Sequence, residues 1–236
     1  MRSRAEVRKW VLYGEIDYDF QAYKDTVVDI NGGVFRGELR ALKGSTVNVH
    51  GGEIGGGLFN RVDEAVFSVF GGNARRFTVD NAQLNVIDGN YEDAVISGSD
   101  VDIRGGVYSD IQIDTSNIVI RGGTLEGVFW ADDSDITLYG SNFLLNGEPV
   151  EGLINPGDSV ELVTANNDLL DGTIVGGDQI RFTIVNRRPP GPGTVAASAD
   201  TRFTLVYAVP EPATALLSIT VLVPTLLYAR CRARSS

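Results

Sequence analysis

VDINGGVF (28–35), VNVHGGEI (47–54), FSVFGGNA (67–74), LNVIDGNY (84–91), VDIRGGVY (101–108), IVIRGGTL (118–125) and ITLYGSNF (136–143) are one pattern written seven times. The turn inside it begins at Gly32, Gly51, Gly71, Asp88, Gly105, Gly122 and Gly140, in steps of 19, 20, 17, 17, 17 and 18 residues. Before the turn run two apolar columns two residues apart, so both lie on one face of a strand. The first is Val28, Val47, Phe67, Leu84, Val101, Ile118 and Ile136; the second is Ile30, Val49, Val69, Val86, Ile103, Ile120 and Leu138. Residues between and after them (Asp29, Asn48, Ser68, Asn85, His50, Phe70, Arg104) are mixed, as an outward face should be. A further apolar column follows the turn, from Phe35 and Ile54 to Tyr91, Tyr108 and Phe143. Small residues (Ser45, Ala65, Ala82, Ser99, Ser116, Ser134) stand two places before the first column, where a coil would bend.

Short β-runs with turn residues at a fixed place and a period of about 17–20 residues predict an all-β fold, a single-stranded parallel β-helix over residues 1–143. No window carries a 3.6-residue period, and so many glycines would weaken helices, which excludes a helical repeat. A propeller blade needs roughly 40 residues, about twice this period. The uneven step and the lack of a strict hexapeptide favour the right-handed form. At about 4.8 Å per coil, seven coils make a rod on the order of 30 Å long. WVLYGEI (10–16) matches ITLYGSN (136–142), so the sequence opens inside an eighth coil, as an N-terminally shortened chain would. Beyond Phe143 the repeat stops. VELVTA (160–165), TIVGGDQIRFTIVN (173–186) and RFTLVYA (202–208) predict an antiparallel β cap over residues 144–208.

Composition narrows the function. The only cysteine is Cys231 and the only histidine His50, so the body holds no internal disulfide, thiolate metal site or His cluster. A formal charge of -11 without a basic stripe excludes nucleic acid as a partner.

The C-terminus is a different kind of sequence. Val209-Pro210-Glu211-Pro212 precedes the uncharged run ATALLSITVLVPTLLYA (213–229), and RCRARSS follows with Arg230, Arg232 and Arg234 in alternate positions. No polar face interrupts the run, and Pro224 would cost a soluble helix a hydrogen bond, so a transmembrane helix over 213–229 is expected. The arginines place its end in the cytoplasm and the preceding chain outside. The order of these three parts over 209–236 resembles the PEP-CTERM sorting signal of exopolysaccharide-producing Gram-negative bacteria. That resemblance implies an exosortase as partner, cleavage near Pro210-Glu211-Pro212, and Glu211 as part of a substrate. It implies export, a stay at the inner membrane during sorting, and a destination at the cell surface or in the extracellular matrix. The N-terminal MRSRAEVRKWVLYGEIDYDF has the basic residues of a signal peptide but no apolar run. Export by another route, or a missing start, is the expectation.

Two polar sets are chemical candidates. Asp63, Asp80, Ser97, Asp114 and Asp132 lie four residues before the first column and should stack at roughly 5 Å. Each aspartate caps its own turn through a backbone N–H two residues on, or the column holds calcium as a carboxylate ladder. Arg104 and Arg121 stack in consecutive coils near Asp102 and Asp100, which reads as a cross-coil pair on a solvated face or as part of a polysaccharide-lyase or hydrolase site. Trp130 offers an outward ring to a sugar or packs at an edge, and His50 is a surface residue without partners. Without the tail arginines and Glu211, 17 basic and 30 acidic residues remain, a formal charge of -13. These readings converge on a noncatalytic exported protein that presents a rigid acidic rod for adhesion or exopolysaccharide association. A β-helix carbohydrate-active enzyme is the alternative.

Overall fold

A computed structural model describes residues 8–54, 60–163, 168–176, 178–185, 194–197 and 201–209. These residues form a β-solenoid of about seven turns. Its first sheet is parallel and follows the repeat: Arg8–Leu12, Thr26–Phe35, Thr46–Ile54, Val66–Val69, Gln83–Val86, Asp100–Asp114, Asn117–Asp132, Asp135–Leu145 and Arg202–Tyr207 succeed one another. The register lines up Trp10, Val28, Val47, Phe67, Leu84, Val101, Ile118, Ile136 and Phe203, and Val28 through Phe203 are buried. The Ile30-to-Leu138 column is buried beside it and continues into Leu205. Period-two alternation in each segment therefore turns two residues of every coil into one core.

After the corner the chain enters a second parallel sheet, through Phe20–Ala22, Leu39–Ala41, Asn60–Asp63, Asn73–Asp80 and Asn90–Ser97 and on into the far halves of the two longest strands. It adds the buried column Ala22, Ala41, Val62, Val79, Ile96, Ile113 and Ala131. A neighbouring column contains Leu39, Phe77, Ala94 and Ile111 but also Asn60, only 2% exposed. The Asn60 side chain is satisfied across coils: its Oδ1 accepts Leu39 N–H at 3.2 Å and its Nδ2 donates to the Arg76 carbonyl at 3.1 Å. A buried amide is tolerable only when paired in this way.

Both corners are built by backbone stacking. At the first, the second glycine of each pair has a positive φ, 99° at Gly52, Gly106 and Gly123. A Cβ on Gly106 or Gly123 would stand 2.8 Å from the carbonyl oxygen of the same glycine one coil earlier. The pair is thus required both by conformation and by the coil beneath. At the other corner Glu64, Asn81, Thr115 and Asp133 are left-handed non-glycine residues. The amides of Glu64, Asn81, Gly98 and Thr115 donate to the carbonyls of Asp80, Ser97, Asp114 and Asp132 in the next coil. The small column is buried here, and its serines bridge coils: Ser134 Oγ accepts Ser116 N–H and Ser116 Oγ accepts Ser99 N–H, both at 3.1 Å.

The strand Arg202–Tyr207 meets the antiparallel arrangement expected for RFTLVYA on one edge only. It pairs parallel with Asp135–Leu145, because Phe203 and Leu205 fit the two inward columns as another coil would. Its other edge takes Ser159–Leu162 antiparallel. Asp168–Ile174 and Gln179–Val185 are antiparallel to one another, and the first pairs antiparallel with the far half of Asp135–Leu145. Among the described residues no helix is long and apolar enough to cross a membrane. The predicted 213–229 helix, Pro210, Glu211, Pro212, Arg230, Arg232 and Arg234 lie outside the described residues; Val209 is within them and exposed.

Candidate functional site

The aspartate column forms as a column. Asp63 pairs in register with Asp80, Asp80 with Ser97, Ser97 with Asp114 and Asp114 with Asp132. Each of these residues directly precedes a left-handed one, and its backbone makes the turn. The Asp114 carbonyl accepts both Gly98 N–H, at 3.0 Å, and Ser116 Oγ–H, at 2.7 Å. The Asp132 carbonyl likewise accepts Thr115 N–H at 3.0 Å and Ser134 Oγ–H at 2.6 Å. The carboxylates of Asp80 and Asp114 turn to the next side chain instead: Asn81 Nδ2 donates to Asp80 at 2.9 Å and Thr115 Oγ1 to Asp114 at 3.0 Å. Arg61 Nη2 stands 3.8 Å from Asp63 and 3.9 Å from Asp80. Among the described residues no group of three or more His, Cys, Asp or Glu side chains is placed to hold a metal ion.

The arginine set lies on the outer face of the first sheet, near its C-terminal end. Asp102 accepts Arg104 Nε at 2.9 Å and Arg104 Nη2 at 2.8 Å on one oxygen, and Arg121 Nη1 from the next coil on the other. Arg121 also lies over the Tyr139 ring, 4.7 Å from its centroid, a cation–π contact. Asp100 belongs to a different bond, accepting Asn117 Nδ2 at 2.9 Å. The two guanidiniums therefore converge on one carboxylate.

His50 has a partner the sequence reading did not give it. Its ring stacks on Phe70 of the following coil at 4.8 Å, with the planes 11° apart. His50, Phe70, Ile87, Arg104 and Arg121 occupy the same position of successive coils, one place before the corner, with Asn31 before them and Tyr139 after. Phe70 is 45% exposed and Ile87 36% exposed. The signal was in the repeat alignment: large apolar residues at an outward register position, which a summary of that face as mixed passes over. Trp130 is half-buried on the second sheet, in register with Gln112.

Beside this stripe, two residues before the corner residues, Asp29, Asn48, Ser68, Asn85 and Asp102 form a half-buried polar column. Asn48 Nδ2 donates to Asp29 at 2.8 Å and Asn85 Nδ2 to Ser68 Oγ at 3.3 Å. The bond from Asn48, followed by Lys9 at 2.7 Å, holds the Asp29 carboxyl below its ordinary range. Comparison of the chain with protein-family models, with curated proteins and with solved structures finds no match in any of the three.

Proposed function

We propose that this protein is an exported, noncatalytic surface or extracellular-matrix protein that an exosortase sorts through its C-terminal signal. Its right-handed solenoid serves as a rigid acidic rod for adhesion or exopolysaccharide association. The observation that carries the reading is the sequence of three parts at the C-terminus: Val209-Pro210-Glu211-Pro212, then seventeen uncharged residues, then Arg230, Arg232 and Arg234. The body supports it by its regularity. Every coil buries its columns against its neighbours, so the rod is stiff, and -13 of formal charge would face the exterior and attract divalent cations. Asp63, Asp80, Asp114 and Asp132 act as turn residues in this reading, with calcium as a ligand of the ladder the competing role. Arg104 and Arg121 share the single carboxylate of Asp102 on the outer face, an arrangement suited to a surface contact rather than to paired carboxylates across a cleft.

The test is processing of the full chain in a Gram-negative host with and without its exosortase, read by fractionation and the mass of the mature C-terminus. Loss of the tail and release to the surface are expected only with the enzyme. Glu211→Ala should leave the chain uncut in the membrane fraction. Processing that ignores both changes would remove the sorting reading.

A further inference from the structure

We infer that the stripe from His50 to Tyr139 on the first sheet is a docking line for an anionic polysaccharide strand lying along the solenoid axis. The inference rests on the surface role proposed above and names the contact through which it acts.

Three observations meet on this line. First, the exposed side chains change character along it: His50, Phe70 and Ile87 give three successive coils of ring and aliphatic surface, and Arg104 and Arg121 follow. Second, the cationic half is undercompensated. Both guanidiniums use Asp102, and among the described residues no other carboxylate lies within 4.0 Å of either. Asp88 and Asp178 also lie at this corner, each keeping its charge while it accepts an amide, from Gly89 at 2.8 Å and from Gly123 at 3.1 Å. Arg104 spends only Nε–H and one Nη2–H on Asp102, and Arg121 one Nη1–H, so Asp102 leaves most of their donors uncommitted. Arg104, Arg121 and Asp102 sum to one net positive charge on a chain of net charge -11, which makes this cluster the point of the stripe that can meet an anionic group.

Third, the flanking column fixes the chemical class. Asn48 and Asn85 each use one amide hydrogen in their cross-coil bond, which leaves a carbonyl oxygen and a second hydrogen outward. With Ser68 between them, the two amides make a row of three groups that both donate and accept at a spacing of about 4.8 Å, which matches a polymer of hydroxyls. The rings are stacked on one another, so they offer edges and a flat ridge rather than free faces. A strand of uronate-type sugar lying along this ridge places its ring hydrogens on Phe70 and Ile87, its hydroxyls on the amide column and a carboxylate on Arg104 and Arg121.

The test is calorimetric titration of the full chain, held in nonionic detergent with excess EDTA, against polygalacturonate fragments of graded length. Dextran and polyglutamate are run alongside. Affinity for polygalacturonate should rise with fragment length and exceed that for the other two polymers. It should fall about tenfold or more in Arg104→Gln/Arg121→Gln, the loss of charge-assisted hydrogen bonds. Phe70→Ser, a substitution on an exposed ridge, should weaken it several-fold with the circular dichroism unchanged. Equal binding of polyglutamate would make the ligand an acidic polypeptide and overturn the inference. So would binding that appears only when calcium replaces EDTA and ignores the arginines, because ion bridging by the acidic rod would then be the mechanism. No binding to any polymer also overturns it. None of these outcomes touches the C-terminal processing assay, so the two proposals fail separately.

Discussion

Gly51 and Gly52 are adjacent, and only one of them is required by the structure. Gly52 has φ of 99°, and a Cβ there would sit 2.5 Å from the Gly33 carbonyl oxygen. At Gly51 nothing lies within 4 Å of an added Cβ. Gly52→Ala should therefore cost roughly 3 kcal/mol from backbone strain and overpacking together, and Gly51→Ala less than about 1 kcal/mol, as urea unfolding would measure. Equal costs would mean that the Gly-Gly pair is a flexible loop. Tyr91 and Tyr108 make a second residue-level case. Their rings stack at 4.9 Å in the core, and their hydroxyls donate to the Asp88 and Gly105 carbonyls at 3.2 Å. Burial raises both phenol pKa values, the nearby Asp88 adding to the effect at Tyr91 and the Tyr91 phenol and Asp88 adding to it at Tyr108. The folded state thus holds these protons more tightly than the unfolded state. Their contribution is complete below the unfolded tyrosine pKa of about 10 and is lost as pH rises above it. Stability measured from pH 9 to 12 should fall, and Tyr91→Phe with Tyr108→Phe should flatten that fall.

At the scale of the corner, serine chemistry differs between coils that look alike. Ser116 is buried with its hydroxyl donating to Asp114 and accepting from Ser99 N–H. Ser45 is buried in the same column, and its Oγ has no hydrogen-bond partner among the described residues. Ser116→Ala should cost about 1–3 kcal/mol by orphaning a buried amide, while Ser45→Ala should be neutral or stabilising, by the same unfolding measurement. Sequence columns alone could not separate these two serines, because the difference is whether a partner in the next coil reaches the hydroxyl. The inward columns were legible for a simple reason: alternation inside a strand and a fixed corner both leave marks in the sequence. RFTLVYA carries the same alternation, yet alternation does not say whether a partner strand runs parallel. Phe203 and Leu205 joined the repeat after a long excursion that hid their membership. Asn60 was hidden by its type, since a polar residue at an inward place is satisfied only by two coils that must first be stacked. The His50–Phe70 stack was hidden by position: outward residues obey no burial rule, so their order reads as noise until the register sets them side by side.

Over the whole molecule, the remaining question is whether the acidic rod needs an ion to stand. Repulsion along the Asp63, Asp80, Asp114 and Asp132 column is the term that calcium would relieve. Three features reduce it without calcium, and a fourth holds the turns independently of it. Ser97 interrupts the column between Asp80 and Asp114. Arg61 lies within 4.0 Å of both Asp63 and Asp80. The Asp80 and Asp114 carboxylates accept hydrogen bonds from Asn81 and Thr115. The turns are held by carbonyls and serine hydroxyls, which no chelator disturbs. Ordered cross-coil bonds of this kind exist before any ion binds, so an ion would add only its differential affinity for the folded chain. At a hundredfold excess over its dissociation constant that term is about 2.7 kcal/mol, enough to move the midpoint of a chain this size by several degrees. Tm measured in excess EDTA and in millimolar calcium should therefore agree within a degree or two. A rise of several degrees in calcium that disappears in Asp114→Asn with Asp132→Asn would assign the ladder to calcium. It would also make ion cross-linking of surface polymer the better account of the acidic face.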